Sequence, residues 1–230
     1  MSAKFAIIGL RHFGYAVAKN LAARGAEVLA IDMDMDRVDL IKDDVAYAVA
    51  LDATDRKALS SQNIAEMDAV LVAIGENIEG LLLTTVQLLE LKAKRIIARA
   101  MTEQQKMILD KLGVKEILSP EEEAGKLVAE TLLNPSLKTF LPLPDDYAIM
   151  EIKAPRRTSG VSIENIGFED NYKLDLISIK RMYQEYNKGK QEDVEHLLSR
   201  PRPDIVIENN DVLIIMGKSF DVEKFIELNV

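Results

Sequence analysis

The sequence predicts an α/β fold, in which a Rossmann-like doubly wound parallel sheet is followed by a small α+β C-terminal lobe. Short apolar runs alternate with longer amphipathic runs through the first 133 residues. Most of the short runs are apolar on both faces, as expected for parallel strands that helices cover on both sides. The alternation stops at Asn134-Pro135. Right-handed β-α-β crossovers followed by a smaller mixed lobe account for this pattern.

The first part of the chain contains six predicted strands and six predicted helices. The predicted strands are Phe5–Ile8, Glu27–Ile31, Tyr47–Leu51, Ala69–Ile74, Arg95–Ala100 and Glu116–Leu118. The predicted helices are Tyr15–Arg24, Met35–Lys42, Asp55–Ser60, Ile78–Leu91, Glu103–Leu112 and Glu121–Leu133. The last helix follows Ser119-Pro120 and has acidic residues in its first turn, where the helix dipole favours them.

The second part predicts a domain of its own, so we divide the chain into residues 1–140 and 141–230. Leu141–Asp146 contains two prolines and predicts a stiff linker. The predicted strands are Ala148–Lys153, Leu174–Lys180, Asp204–Glu208 and Val212–Met216. Asn209-Asn210-Asp211 is a turn signal that predicts a hairpin of the last two strands. Ser219–Ile226 predicts a capped amphipathic helix.

A polar segment of mixed charge, residues 181–203, separates two of these strands. Its composition is typical of a long solvated excursion between strands. A partner-binding arm is the alternative interpretation.

Composition and charge exclude several classes of function. The net charge is −9 and the sequence pI is about 4.9, which argues against nucleic acid as a partner. The chain has no cysteine, so thiolate metal sites, disulfides and a cysteine nucleophile are excluded. The first strand pattern leaves no room for a signal peptide, and no run approaches the about 18 apolar residues of a spanning helix. We therefore expect a soluble, cytoplasmic protein.

The loop after the first predicted strand has features of a phosphate-binding turn. Gly9 fits the tight turn from strand to helix, and Gly14 fits the close approach of that helix. The free N–H groups of the helix N-terminus favour an anion there. Arg11 occupies the position where bare backbone would face a pyrophosphate. Its side chain either fills the phosphate volume or folds outward and places a guanidinium on the phosphates.

Polar residues follow three further predicted strands. Asp32 ends the second strand, near the spacing at which an acidic residue accepts hydrogen bonds from ribose hydroxyls, although a role as helix cap is the alternative. Asp52 to Asp55 follow the third strand, and Gly75-Glu76-Asn77 follow the fourth. Ligands of open α/β sheets bind beyond the carboxyl ends of the strands, where these turns lie.

These motifs together resemble a known family, the RCK domains (regulators of K⁺ conductance). The motifs are IIGLRHFG, VLAID, LDATD, LVAIGEN, IIARA and ILSPEEEAG, followed by PDIVIENNDVLIIMG in the second part. They resemble in particular the cytosolic regulatory subunits of bacterial Trk/Ktr potassium-uptake systems, which consist of TrkA-N and TrkA-C domains.

The resemblance implies a regulatory function. Such subunits bind adenine nucleotides, namely ATP and ADP or NAD and NADH, with AMP as a further candidate. They assemble as homo-oligomers, from dimers to octameric rings, and the ring gates a membrane-embedded potassium channel or transporter subunit. We therefore expect this chain to lie in the cytoplasm, at the inner face of the plasma membrane.

The resemblance also assigns roles to individual residues. It places the phosphate loop at Gly9, Leu10, Arg11, His12 and Phe13, the ribose at Asp32 with Met33 beside it, the adenine at Asp52, Ala53 and Thr54, and the far side of the nucleotide at Gly75, Asn77 and Arg99. It further implies that Glu121 ligates a divalent cation between subunits. From the residues alone, Glu121 is equally a first-turn acid of its helix.

This sequence departs from the family pattern at the phosphate loop and in the second domain. The family usually has glycine at the position of Arg11 and arginine at the position of His12, so a basic residue is kept but moved by one place. Some members bind cyclic di-AMP in the C-terminal lobe, partly through an arginine. Glu169 or Asp170 stands there in this chain, and an acidic group facing a phosphate is unfavourable.

Two other functions are weighed against this one. An NAD-dependent oxidoreductase needs an acid or base beside the nicotinamide. His12 lies within the phosphate loop and His196 in the polar segment, so we expect no catalytic residue and no enzyme. A regulator of a cation antiporter or exchanger would share the same two lobes, and only its membrane partner would distinguish it.

Overall fold

The computed structural model describes residues 2–133, 137–187 and 190–230. Contacts divide the chain into two compact units, Met1–Glu123 and Ala124–Val230. The boundary between functional domains after residue 140 stays a prediction. Among the described residues, no helix combines the length and the apolar character that crossing a bilayer requires.

The first unit contains a six-stranded parallel sheet with the strand order β3-β2-β1-β4-β5-β6. Its strands are β1 (Lys4–Ile8), β2 (Glu27–Asp32), β3 (Tyr47–Ala50), β4 (Ala69–Val72), β5 (Ile96–Arg99) and β6 (Glu116–Leu118). The helices are α1 (His12–Ala23), α2 (Met35–Ile41), α3 (Arg56–Ser60), α4 (Ile78–Glu90) and α5 (Glu103–Leu112), with a 3₁₀ turn at Ile64–Glu66. Helix α6 (Pro120–Leu133) begins in this unit and ends in the second. The predicted doubly wound sheet is confirmed.

Burial on both faces explains the apolar runs in the central strands of this sheet. Successive side chains of a strand point to opposite faces. In β1, Ala6 and Ile8 belong to one hydrophobic cluster, and Ile7 belongs to the other. The order of strands reverses direction between β1 and β4, so a crevice opens there beyond the carboxyl ends of the strands.

The second unit contains a five-stranded antiparallel sheet with the strand order β10-β9-β11-β8-β7. Its strands are β7 (Leu137–Pro142), β8 (Tyr147–Lys153), β9 (Asp175–Asn187), β10 (Lys190–Ser199) and β11 (Val212–Lys218). Its helices are α7 (Ile163–Ile166), α8 (Phe168–Tyr172) and α9 (Ser219–Leu228), with a 3₁₀ turn at Arg156–Thr158. Phe225 of α9 packs on Phe168 and Tyr172 of α8, with ring centroids 5.3 and 4.8 Å apart.

The predictions of a linker and of a hairpin in this unit are wrong. The expected linker begins as the end of β7, whose Leu141 and Pro142 pair with β8, and continues as the turn into β8. Proline is tolerated there because β7 is an edge strand. The hairpin of Asp204–Glu208 with Val212–Met216 is absent from the described residues, since β11 pairs with β8 and β9 instead.

The backbone of residues 204–208 bonds to a different segment. Gly160 N–H donates to Ile207 O at 2.8 Å, and Ile207 N–H donates to Val161 O at 3.0 Å. Ser162 and Val206 form an isolated bridge. The backbone groups of residues 204–208 that a hairpin would have used therefore form hydrogen bonds with the loop at residues 160–163 instead.

The segment expected to be an excursion is largely regular structure. Strands β9 and β10 form a long antiparallel hairpin, with Ser178 opposite Ser199 and Gln191 opposite Tyr186. A role as partner-binding arm stays a prediction. The predicted cap of the last helix is wrong, because Ser219 is the first residue of α9 and Lys218 precedes it without a side-chain capping bond.

Candidate functional site

A cleft of about 420 Å³ opens at the crevice between β1 and β4. It lies beyond the carboxyl ends of the strands, where ligands of open α/β sheets bind. Nine of the residues that the sequence predicted as nucleotide contacts line it together: Gly9, Arg11, Asp32, Met33, Asp52, Ala53, Thr54, Gly75 and Asn77. The strand-end turns that the sequence singled out therefore converge on one space.

The turn from β1 into α1 depends on two glycines. Gly9 has a φ of +97°, which side chains rarely adopt, and its N–H donates to Ile31 O at 2.8 Å. A Cβ atom on Gly14 would lie 1.8 Å from Gly9 O, so the helix approaches the turn too closely for any side chain. The first turn of α1 has no acidic residue and no side-chain cap. The first N–H groups of α1 thus lack a side-chain acceptor, an arrangement that suits a phosphate at the helix N-terminus.

Asp32 holds the cleft in shape. Its side chain is 6% exposed and accepts hydrogen bonds from Leu10 N–H at 2.7 Å and Asp34 N–H at 3.0 Å. Arg37 lies 3.4 Å from the same carboxylate. The carboxylate therefore joins the loop after β1 to the loop after β2, in addition to any contact with a ribose.

The side chain of Arg11 crosses the mouth of the cleft. Arg11 precedes α1, and its guanidinium forms an ion pair with the carboxylate of Glu76, which follows β4. The two side chains are 50% and 66% exposed. The sequence alone does not decide whether Arg11 fills the cleft or folds outward, and it gives no sign that Glu76 is its partner.

The two remaining turns are held by local hydrogen bonds. Asp52 accepts from the backbone N–H and the hydroxyl of Thr54 at 2.9 and 2.7 Å. Asn77 caps α4 by accepting from Gly80 N–H at 3.0 Å. These bonds fix two of the turns that line the cleft.

Four predicted nucleotide contacts do not line the cleft. Leu10 is buried in the core, and His12 is exposed at the start of α1. Arg99 lies over the ring of Phe13, with its guanidinium carbon 5.4 Å from the ring centroid. Arg99 also lies beside Gly75, because its Nη1 would be 3.2 Å from a Cβ atom there.

Arg99 and Glu121, which the sequence placed in separate roles, form an ion pair with each other. The side chain of Arg99 is 11% exposed, and its Nε has no hydrogen-bond partner among the described residues. No group of three or more His, Cys, Asp or Glu side chains is placed to hold a metal ion in the part of the chain that the structure describes. Glu121 as a cation ligand stays a prediction.

The sequence analysis missed Thr84 and Arg37. Thr84 lines the cleft, is fully buried, and its hydroxyl has no partner among the described residues. A polar residue on the buried face of α4, one turn after Gly80, was the available signal. Arg37 lines the cleft as well and pairs with Asp32 and Asp34.

A second cavity of about 460 Å³ lies in the second unit. Arg181 lines it and donates two hydrogen bonds to Asp211 at 2.8 and 2.7 Å. These bonds raise the pKa of the Arg181 guanidinium. Because Glu208 also pairs with Arg181, this cation is already neutralised.

Known proteins place the chain in a family. A model of the TrkA-N domain matches residues 5–120, just over half of the 230 residues. The Ktr system potassium uptake protein C of Bacillus subtilis (strain 168) is 32% identical over 225 residues, covering 98% of this chain and 96% of that protein.

Solved structures agree with this assignment at the level of the fold. The GsuK RCK domain has a TM-score of 0.63 at 13% identity, covering 100% of this chain and 48% of that one. The GsuK channel bound to NAD has a TM-score of 0.62 at 13% identity, covering 100% and 39%. This chain thus spans less than half of either GsuK chain, and the expected RCK fold is confirmed. By its family model and its Ktr relative, the chain belongs to the TrkA-N domain family.

Proposed function

We propose that this chain is the nucleotide-sensing regulatory subunit of a potassium uptake channel or transporter. The observation that carries the proposal is the cleft between β1 and β4, which is lined both by Arg11, the residue before an uncapped helix, and by Asp32 and Asp52, the carboxylates at the ends of two neighbouring strands. A phosphate suits the first and a ribose the second. The Ktr relative, which is named for potassium uptake, supports the transport role.

The residues of the cleft suit an adenine nucleotide, which is ATP or ADP, NAD or NADH, or AMP. In this proposal the loop from Gly9 to Phe13 holds the phosphates and Asp32 holds the ribose. Asp52, Ala53 and Thr54 lie by the adenine. The far side consists of Gly75, Asn77 and Arg99. The clash that forbids a side chain at Gly14 supports this fit, since it reflects a turn tight enough to present backbone N–H groups.

The proposal includes assembly into a homo-oligomer, from a dimer to an octameric ring, beneath a membrane-embedded subunit. Helix α6 supports it, because four of its apolar side chains are exposed in the single chain: Leu127, Val128, Leu132 and Leu133. Exposed apolar side chains grouped on one helix are typical of an interaction surface. Glu121, near the start of α6, would ligate a divalent cation only after leaving Arg99. The protein would work in the cytoplasm.

The proposed mechanism needs no reaction of the nucleotide. A nucleotide shifts the equilibrium between two ring shapes only if it binds one shape more tightly than the other. The position of both histidines supports a function without catalysis. His12 is exposed at the start of α1, and His196 pairs with Glu185 in the β9–β10 hairpin.

Calorimetry and light scattering together test the proposal. We expect the purified chain to bind at least one of ATP, ADP, AMP, NAD and NADH with a Kd in the micromolar range. We expect light scattering to show an oligomer whose hydrodynamic size differs between two nucleotides. The transport role is tested in vesicles that contain a Ktr-type membrane subunit, where the added chain should make potassium flux depend on the nucleotide.

Three results would contradict the proposal. The nucleotide site fails if none of the five nucleotides binds. The proposed assembly into a ring is contradicted if the chain is a monomer under every condition. The transport role fails if flux is the same with and without the chain.

A further inference from the structure

The ion pair between Arg11 and Glu76 joins the two sides of the cleft. Arg11 follows β1 and Glu76 follows β4, so the pair spans the two strands between which the cleft opens. Both residues line the cleft. Since Arg11 stands where the phosphate loop meets its helix, Glu76 occupies the guanidinium that a bound phosphate would otherwise use.

The charges of the cleft lining make this competition important. Two arginines line the cleft, together with four carboxylates, those of Asp32, Asp34, Asp52 and Glu76. Of the arginines, Arg37 lies within 3.4 Å of two of these carboxylates, and Arg11 is paired with Glu76. The lining is therefore net acidic, and neither of its arginines is without a counter-ion.

We propose that Glu76 is a specificity-determining residue that makes the cleft discriminate against nucleotides with a terminal phosphate. The inference rests on the proposed function and narrows it to dinucleotides of the NAD type. An internal diphosphate carries about one negative charge on each phosphate, whereas a terminal phosphate carries about −1.5 to −2 at pH 7. The carboxylate of Glu76 repels the second kind more strongly and competes with it for Arg11.

The position of Glu76 allows this exchange without unfolding. The side chain is 66% exposed and lies in the turn before α4, so it can turn outward when an internal diphosphate approaches Arg11. A terminal phosphate carries the larger negative charge, so its repulsion by the carboxylate of Glu76 costs more binding free energy. Because the mouth of the cleft is solvated, salt should weaken the effect.

The test is calorimetry of NAD, ADP and ATP with the 230-residue chain and two variants, without divalent cations. We expect the wild type to bind NAD more tightly than ATP. Glu76→Gln should lower the Kd of ATP about tenfold and the Kd of NAD at most about twofold. This is expected when one charge is removed several ångströms from the phosphates in a partly solvated site. The matched control is Glu79→Gln, an exposed first-turn acid of α4 that does not line the cleft.

Each result separates this inference from the proposed function. If Glu76→Gln lowers the Kd of NAD and the Kd of ATP by the same factor, then Glu76 does not set the selectivity, although the nucleotide site stands. The same holds if Glu79→Gln lowers the Kd of ATP as much as Glu76→Gln does. A wild type that prefers ATP to NAD also overturns the inference. If no nucleotide binds to any variant, the proposed function fails and the inference fails with it. In 0.5 M salt the difference between the two ligands should shrink, and a constant difference would contradict the electrostatic origin.

Discussion

Replacing Gly14 with alanine tests the geometry on which the phosphate loop depends. In an ordinary helix this substitution stabilises by about 0.5–1 kcal/mol, because alanine loses less backbone entropy. In α1 the new Cβ atom would lie 1.8 Å from Gly9 O and 3.0 Å from the Cβ of Ala73. The helix must therefore move away from β1 by more than an ångström.

We expect this movement to cost more than the helix gains. Overpacking typically costs about 1–3 kcal/mol, and backbone lies on both sides of this contact, so we expect a net loss of about 3 kcal/mol. With a urea m-value of about 2 kcal/mol/M, the unfolding midpoint should fall by about 1.5 M. Far-UV circular dichroism is a suitable signal because the chain has no tryptophan. Hydrogen exchange of β1 and α1 assigns the loss to the first unit.

The matched control is the same substitution in another helix. Gly125 lies inside α6, and a Cβ atom there would meet nothing within 4 Å. Gly125→Ala should therefore leave stability unchanged or raise it by up to about 1 kcal/mol. A Gly14→Ala variant with a midpoint at or above that of the wild type would refute the argument from the close approach of helix and strand.

Three further substitutions have distinct expected outcomes. Asp32→Ala leaves two backbone N–H groups without their acceptor, and should lower the free energy of unfolding by about 2–4 kcal/mol even without nucleotide; unchanged stability in urea would leave Asp32 as a ligand contact only. Asp211→Ala removes two hydrogen bonds from Arg181, which keeps Glu208 as a counter-ion, and should lower the free energy of unfolding by about 2–4 kcal/mol. Arg181→Met in the same chain should recover part of the loss. The hydrogen bond from Arg95 lowers the pKa of Glu116 below 4.5, so its stabilisation is present above pH 4.5 and lost as the pH falls through the lowered value. Glu116→Gln should therefore differ from wild type at pH 6 and converge with it in acid, and a constant difference would contradict this origin.

The parallel sheet could be predicted because its signal is local and repeated. The central strand β4, Ala69–Val72, is buried on both faces and is therefore apolar at every position. The second unit is harder to predict from the sequence, because its strands pair with segments that are far away along the chain. Residues 204–208 have the composition of a strand, yet they bond to Gly160–Ile163, and nothing local distinguishes the two outcomes.

In the candidate site, too, some features could be predicted from the local sequence and others could not. The turns after β1, β2, β3 and β4 could be predicted, because all parallel strands of one sheet end at the same edge. The partners of individual side chains could not be predicted. Arg11 and Glu76 are far apart in the chain, and Arg99 and Glu121 meet only because β5 and the start of α6 are close. Side-chain pairs of this kind depend on the folded backbone and on rotamers.

The carboxylate of Asp32, by its bond to Leu10 N–H, has a thermodynamic consequence for any occupant of the cleft. The loop after β1 is already held in place when the cleft is empty. Binding of a ligand therefore costs little free energy for ordering this loop. Hydrogen exchange in this loop should consequently be slow with or without an occupant. A signal to a neighbouring subunit would then have to begin at exposed side chains rather than in the backbone of the loop.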